Sequence, residues 1–164
     1  MDFVDAIFQI PMPILLVSTG DGVRSTCMTA AWFMPVSISP PLVAVAIAPQ
    51  RYTFELLMKS KEFAIMVVPK DMVKEAIEVF GTLSGRDVDK FKLAGVEVMR
   101  GKSISVPIIK GVPLVMECKL VQASSAGDHY IVVGKVIETY SLSDKEPIIY
   151  FKGKPYTIGN EVSY

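Results

Sequence analysis

The sequence predicts a mainly β protein, a small barrel built by one domain that spans residues 1–164. Two observations favour this fold. Short apolar and β-branched runs follow one another closely, with Gly- and Pro-rich turns between them, which is typical of a β-barrel or a β-sandwich. Helical patterns occur only as inserts, whereas a doubly wound α/β fold needs helices that alternate regularly with strands. We therefore expect a barrel with a few short helices.

Three strands are predicted in the N-terminal part of the chain: residues 13–19, 26–36 and 42–48. The first ends at Gly20-Asp21-Gly22, a turn sequence. The third is apolar at every position and ends at Pro49, so we expect it to be buried on both faces.

Helical periodicity follows in two segments. Residues 52–59 and 72–80 place apolar side chains three and four positions apart, and a strand over residues 62–68 separates them. The polar residues 84–91 are expected to form a loop that runs into a helical turn.

The C-terminal half is predicted to be mostly strand. Two long β-rich runs, residues 113–123 and 129–140, are joined by residues 124–128, which suit a hairpin. Two short strands are expected over residues 148–151 and 156–158. The whole chain then holds six or more strands, mostly in hairpin order.

Composition and charge exclude several classes of partner. The chain is 51% hydrophobic, yet no apolar run approaches the ~18 residues of a membrane helix. The excess apolar surface instead predicts an interface between subunits. The net charge is zero, with 17 basic and 17 acidic residues and no basic stripe, so nucleic-acid binding is not expected.

The two cysteines and the single histidine limit the kinds of site that the chain can form. Cys27 and Cys118 lie far apart and form neither a CxxC pair nor a disulfide framework. Because the N-terminus lacks the pattern of a signal peptide, the expected compartment is the cytoplasm. One His without a Cys/His cluster argues against a metal site. No phosphate-loop, dinucleotide or nucleophile-elbow motif occurs, so an enzyme of this sequence would rely on a bound cofactor.

Three polar clusters interrupt the apolar chain: Ser25, Thr26, Cys27 and Thr29; Arg51, Tyr52 and Thr53; and Ser84, Gly85, Arg86 and Lys90. A helix that begins near Arg51 would present its backbone N–H groups to a phosphate. The alternative interpretation is structural. Thr53 would then be a helix N-cap, Arg86 part of a solvated surface network, and the other hydroxyls turn or edge residues.

Five sequence blocks, in order, resemble the flavin reductase-like family of FMN-binding split barrels. They are "MTAAWFMPVSISPPLVAVAI" (28–47), "RYT" (51–53), "SGRDVDKF" (84–91), "GDHYIVVGKV" (127–136) and "IIYFKGKPYTIG" (148–159). The resemblance implies a six-stranded Greek-key split barrel and an obligate homodimer with FMN at the subunit interface. It also implies reduction of flavin by NADH or NADPH, with electrons passed to free flavin, a separate monooxygenase or ferric complexes.

The resemblance also implies roles for individual residues. Those near the isoalloxazine ring would be Thr26, Cys27, Met28 and Thr29, largely through backbone groups, with Ser37 at the polar edge and Ala46 to Ala48 along the border. Those that hold the phosphate would be Arg51, Thr53, Ser84, Gly85 and Lys90. The catalytic residue would be His129, close to the nicotinamide.

Three positions carry alternatives. The family often has Asn where this chain has Thr26, and one hydroxyl replaces a donor and an acceptor. Cys27 either tunes the ring or reacts with an acceptor, or it is a small buried filler. His129 either contacts the nicotinamide or protonates reduced flavin, or it is an inert hairpin residue.

The sequence thus predicts a cytoplasmic flavoprotein oxidoreductase, an NAD(P)H-dependent flavin reductase. A second interpretation is an FMN-holding electron carrier that a partner reduces. A third is a β-barrel interaction module without a cofactor.

Overall fold

The computed structural model describes residues 1–164 and consists mainly of antiparallel strands. The strands are β1 (Met12–Pro13), β2 (Leu15–Gly20), β3 (Ser25–Ala30), β4 (Phe33–Ser37), β5 (Leu42–Ile47), β6 (Glu62–Val67), β7 (Val98–Arg100), β8 (Pro107–Ile109), β9 (Val115–Ala126), β10 (His129–Tyr140), β11 (Ile148–Phe151) and β12 (Lys154–Thr157). The helices are α1 (Phe3–Ile7), α2 (Tyr52–Ser60), α3 (Val73–Glu75) and α4 (Lys90–Ala94). A 3₁₀ turn (Lys70–Met72) precedes α3, and a π-helical turn (Ala76–Phe80) follows it.

Seven strands form one antiparallel sheet in the order β3-β2-β6-β9-β10-β5-β4. Its two edge strands, β3 and β4, are consecutive in the chain and only Ala31 and Trp32 separate them. The two edges must therefore lie side by side, which curls the sheet into a barrel. The Ala46 N–H of β5 donates to the carbonyl of Trp32, just past the end of β3, at 3.0 Å.

The predicted barrel is confirmed, with seven strands in its main sheet instead of six. The extra strand arises because the β-rich run over residues 26–36 bends at Ala31 and Trp32 and is divided into β3 and β4. The connection from β5 through α2 to β6 skips β9 and β10 in the sheet, so the order is a Greek key and not a meander.

Strand β2 is buried on both faces along its whole length, and this explains its apolar start at Leu15, Leu16 and Val17. Leu15 and Val17 point into the barrel, where they pack with Phe63 of β6. Leu16 points outward into a second core layer that includes Phe80 and lies beneath the helical segment around α3. A strand between two cores meets no water on either face.

The remaining differences from the sequence prediction come from short or irregular elements. Strands β7 and β8 have three residues each, too few for an alternating pattern to appear. Strand β9 extends to Ala126, so the turn before β10 shrinks to two residues. None of the helices is both long and apolar enough to cross a bilayer.

Candidate functional site

Two adjoining cavities of about 560 and 200 Å³ lie where the edge of β3, the start of α2, the loop before α4 and the start of β10 meet. Both are lined by Met28, Ala48, Arg51 and His129, so they form one continuous groove. We call this groove the β3–α2 cleft. Its size is that of a site for a small-molecule ligand or cofactor, which typically encloses ~300–1,000 Å³.

One end of the β3–α2 cleft is built to attract an anion. Helix α2 has Arg51 at its N-cap with extended backbone and no side-chain capping bond, so the first N–H groups of the helix lack a side-chain acceptor. The side chains of Arg51, Thr53, Ser84 and Lys90 line the same end. A helix N-terminus, two cations and two hydroxyls form a strong anion site.

Thr53 does not cap α2, contrary to the structural interpretation of this residue. The N-cap position belongs to Arg51, and Thr53 lies inside the first turn with only 2% of its surface exposed. Its hydroxyl makes no hydrogen bond within the chain and borders the cleft. The hydroxyl is therefore free for a ligand.

Lys90 is the buried cation of the site, with 4% of its surface exposed. Its Nζ donates to the Phe80 carbonyl at 3.1 Å, which uses one of the three N–H donors of the ammonium group. Burial lowers the pKa of Lys90, and the nearby charge of Arg51 lowers it further. A bound anion would occupy the free donors and stabilise the charged form.

Gly85 brings the loop before α4 directly onto β3. A Cβ at this position would collide with the hydroxyl of Thr26 and lie 2.9 Å from Cδ1 of Tyr52, so only glycine fits. The Thr26 hydroxyl is buried and has no hydrogen-bond partner. An unpaired buried hydroxyl costs about 1–3 kcal/mol, which makes Thr26 the least satisfied polar group beside the cleft.

Arg86 holds the same loop to α2. Its guanidinium donates to Glu55 Oε2 at 2.5 Å and to the Gln50 carbonyl at 3.3 Å, and it lies 5.1 Å from the centre of the Tyr52 ring. The hydrogen bond from Arg86 lowers the pKa of Glu55. Arg86 therefore belongs to a surface network, as the structural interpretation expected, although its acidic partner is Glu55.

The other end of the β3–α2 cleft is narrow and less polar. Its walls carry the small side chains of Ala46 and Ala48 together with Trp32 and His129. The His129 ring lies 4.7 Å from Trp32, and its Nδ1 is 2.6 Å from Asp128 Oδ1. This pairing lowers the pKa of the Asp128 carboxyl. The arrangement fixes the His129 ring at the mouth of a slot suited to a flat ligand.

Ten of the thirteen residues predicted from the sequence line the β3–α2 cleft: Met28, Thr29, Ala46, Ala48, Arg51, Thr53, Ser84, Gly85, Lys90 and His129. The hydroxyl of Thr29 donates to the Ala76 carbonyl at 2.5 Å, so this side chain is already occupied.

Three predicted residues do not line the cleft. Thr26 is covered by Gly85, and Ser37 pairs with Leu42 in the sheet. Cys27 is fully buried in the outer core layer, and burial raises the pKa of its thiol to about 12. The placement of the Cys27 side chain agrees with a buried filler.

Several lining residues were not predicted: Ala30, Ala31, Trp32, Gln50, Tyr52, Thr82, Leu83, Arg86 and Asp87. Among them, Trp32 is 43% exposed and packs against His129. The neighbouring residues Ala31 and Phe33 do not indicate that Trp32 is exposed, because the exposure results from the bend between the edge strands β3 and β4.

Comparison with known proteins matches residues 7–159 to the family model described as "Flavin reductase like domain". A protein of Aeropyrum pernix is 32% identical over 145 residues, which cover 88% of this chain and 54% of that protein. The chain thus spans about half the length of that relative. A flavin reductase of Pseudomonas putida is 30% identical over 146 residues, covering 88% of this chain and 82% of that one. The solved structure of the Streptomyces globisporus NADH:FAD oxidoreductase SgcE6 superposes with a TM-score of 0.87 at 26% identity, covering 96% and 92% of the two chains.

Proposed function

The chain belongs to the flavin reductase like family, and from that premise we propose that it is an NAD(P)H-dependent flavin reductase with FMN in the β3–α2 cleft. The observation that carries the proposal is the polarity of this cleft. Cations, hydroxyls and a helix N-terminus gather at one end, and a narrow slot beside His129 forms the other. A flat ring joined to a single terminal phosphate has the same asymmetry.

The residues at the polar end fit a phosphate. Lys90 is buried and keeps free N–H donors. Burial lowers its pKa because it disfavours the charged ammonium, and a dianionic phosphate would stabilise that charged form. Arg51 makes no ion pair within the chain, and the hydroxyl of Thr53 is unpaired. These residues would hold the phosphate of FMN.

The residues at the other end fit a flat ring. β3 is an edge strand, so the backbone along one of its sides has no partner strand. Because Thr26 is covered and the hydroxyl of Thr29 is occupied, hydrogen bonds to the ring edge would come mainly from this backbone. Ala46 and Ala48 leave room for the ring to approach.

When bound, FMN supplies a ring that accepts hydride from the nicotinamide, so the chain needs no elaborate acid–base array. The residues of the chain would bind the flavin and the nicotinamide, orient the two rings toward each other and exclude water from the site. The Nδ1 atom of His129 is held by Asp128 and one ring face packs on Trp32, which leaves Nε2 free. We assign His129 to position the nicotinamide or to donate a proton from Nε2.

The proposed donor is NADH or NADPH, and the proposed acceptors are free flavin, a monooxygenase partner or a ferric complex. We also propose a homodimer with the cofactor at the subunit interface. The support is an apolar face on β4 next to the slot, where Met34, Val36 and Ile38 are exposed. Apolar groups of this kind are typical of a subunit interface.

The test is a mixture of purified protein, FMN and either NADH or NADPH under anaerobic conditions, followed by the visible absorbance of the flavin. We expect bleaching with at least one nicotinamide, and parallel titrations with riboflavin and FAD report whether the phosphate and the adenosine matter. Bound FMN that neither nicotinamide reduces would favour the electron carrier instead. Protein that binds no flavin would contradict both functions.

A further inference from the structure

A second cleft, of about 330 Å³, shares no lining residue with the β3–α2 cleft. It is enclosed by the turn between β2 and β3 on one side and by the β7–β8 hairpin on the other. We call it the hairpin cleft. Its lining residues are Gly20, Gly22, Val23, Arg24, Ser25, Val98, Met99, Arg100, Ser105, Val106 and Pro107.

The hairpin cleft has an excess of positive charge. Arg100 and Arg24 come from opposite walls, and none of the lining residues is acidic. Arg24 pairs with Asp21 at 3.3 Å. Arg100 has no carboxylate within 4.0 Å, and its guanidinium donates to the neutral hydroxyl of Ser105 at 2.6 Å. One guanidinium in the cleft therefore lacks a counter-charge.

The wall that carries Arg100 is anchored from below by a buried carboxylate. Glu117 accepts the backbone N–H groups of Lys102, Ser103 and Ile104 at 2.7, 2.7 and 3.1 Å. Gly101 allows the backbone of this loop to fold closely on itself, since a Cβ at this position would lie 2.7 Å from the Ile104 carbonyl oxygen. Arg100 and Ser105 thus stand at the two ends of a clamped loop.

Further bonds fix this wall against the barrel. The hydroxyl of Ser18 on β2 donates to the Pro107 carbonyl at 2.5 Å, and the Ser105 N–H donates to Glu62 Oε2 at 3.2 Å. The cleft is consequently formed before any ligand arrives, which reduces the ordering cost of binding.

Part of the lining is apolar and suits the body of a ligand. Met99 and Val106 border the cleft but pack into the outer core layer, whereas Val98 on the β7 wall and Val23 in the turn are 43% and 92% exposed. We propose that the hairpin cleft binds a small organic carboxylate, with its charged group on Arg100 and Arg24 and its apolar body against these side chains. A guanidinium presents two parallel N–H donors that match the two oxygens of a carboxylate.

The probe for this proposal is benzoate, and benzamide is its neutral analogue of the same shape. Titration of ¹⁵N-labelled protein with benzoate is expected to shift the amide signals of Gly22, Arg24, Arg100 and Ser105. Calorimetry is expected to show binding at least about tenfold weaker for benzamide and for Arg100→Ala, the effect of losing a charge-assisted pair. Lys110→Ala is the matched control, because Lys110 is a cation of the same hairpin, directly after β8, but pairs with Glu97 outside the cleft.

We expect Lys110→Ala to bind benzoate within about twofold of wild type, since surface pairs contribute little. Arg100→Ala should keep the wild-type spectrum away from the cleft and the wild-type affinity for FMN, which separates this site from the flavin function. Absent shifts at saturating benzoate, equal affinity for benzamide, unchanged affinity in Arg100→Ala, or shifts confined to the β3–α2 cleft would each overturn the proposal.

Discussion

Single residues give the β3–α2 cleft its charge. Two of the cations that line it, Lys90 and Arg51, differ in how much the packing of the core depends on them. Lys90 is buried and donates to the Phe80 carbonyl, so its removal disturbs packing as well as charge. Arg51 is exposed and has no ion-pair partner in the chain. Arg51 is therefore the residue whose loss reports on ligand binding with little effect on folding.

We predict that Arg51→Ala weakens FMN binding by about 1–3 kcal/mol, the usual contribution of a hydrogen bond to a charged group. Fluorescence titration of the flavin measures the change, and thermal unfolding without flavin should be close to wild type. Lys59→Ala, which removes an exposed cation from the same helix, serves as the control. Equal FMN affinity in Arg51→Ala and wild type would contradict the phosphate site.

Individual residues also show how much of the candidate site could be predicted from the sequence. Arg51, Thr53, Ser84 and Lys90 were predicted to hold one phosphate, and the structure places all four along the same end of the β3–α2 cleft. The direction of the Cys27 side chain could not be known, because alternation along β3 says which residues share a face but not which face meets the cleft. Contacts with the outer core layer show that the Cys27 side chain points away from the barrel interior and into that layer.

Among the elements, the loop over residues 101–105 has no regular secondary structure, and the buried carboxylate of Glu117 holds its backbone in place. Burial alone would raise the pKa of Glu117, but hydrogen bonds from Tyr140 and from three backbone N–H groups outweigh it, so the pKa lies below 4.5. The carboxylate therefore stabilises the fold fully above about pH 4.5, and this stabilisation is lost as the pH falls through the lower folded-state pKa.

We predict that Glu117→Gln lowers the free energy of unfolding at pH 7 by about 1.5–3 kcal/mol, since an amide NH₂ cannot accept the N–H groups that one carboxylate oxygen accepts. Urea unfolding at several pH values measures this difference in the free energy of unfolding. The gap to wild type should narrow as the pH falls below about 4.5.

Glu97→Gln provides the comparison, because Glu97 is exposed and makes one surface ion pair. We expect it to stay within about 0.5 kcal/mol of wild type. A gap for Glu117→Gln that stays constant with pH would show that the charge of Glu117 is not what anchors the loop.

At the scale of the whole molecule, barrel closure leaves one strand poorly covered. β4 lies at the edge of the sheet, and Met34 on it is 56% exposed, while Ile38 just beyond its end is 95% exposed. In the sheet Met34 lies opposite Ala44 of β5. This apolar surface adjoins Trp32 and hence the slot of the β3–α2 cleft.

We predict that Met34→Glu converts a homodimer into a monomer and weakens FMN binding, because it would bury an unpaired carboxylate in the interface. Light scattering coupled to size-exclusion chromatography measures the mass, and flavin titration measures the affinity. Val4→Glu, an equivalent change on exposed α1, should leave both unchanged. A wild-type protein that is monomeric with FMN bound would refute the interface.

The sequence by itself determined the barrel, the positions of most strands and the helix that begins at residue 52, and it predicted the residue types of an anion site. It could do so because turn residues, apolar periodicity and helix starts are local properties of the chain. The short strands β7 and β8 were beyond its reach, since three residues carry no period.

Only the tertiary structure decided which side chains share a cleft. Gly85 contacts Thr26, Trp32 packs against His129, and Arg100 and Arg24 line the same cleft, although the members of each pair are widely separated in the chain. Such pairs follow from the curl of the sheet and from the side of each strand that faces out. The β3–α2 cleft and the hairpin cleft exist because barrel closure brings distant segments together, and no local pattern in the sequence records that closure.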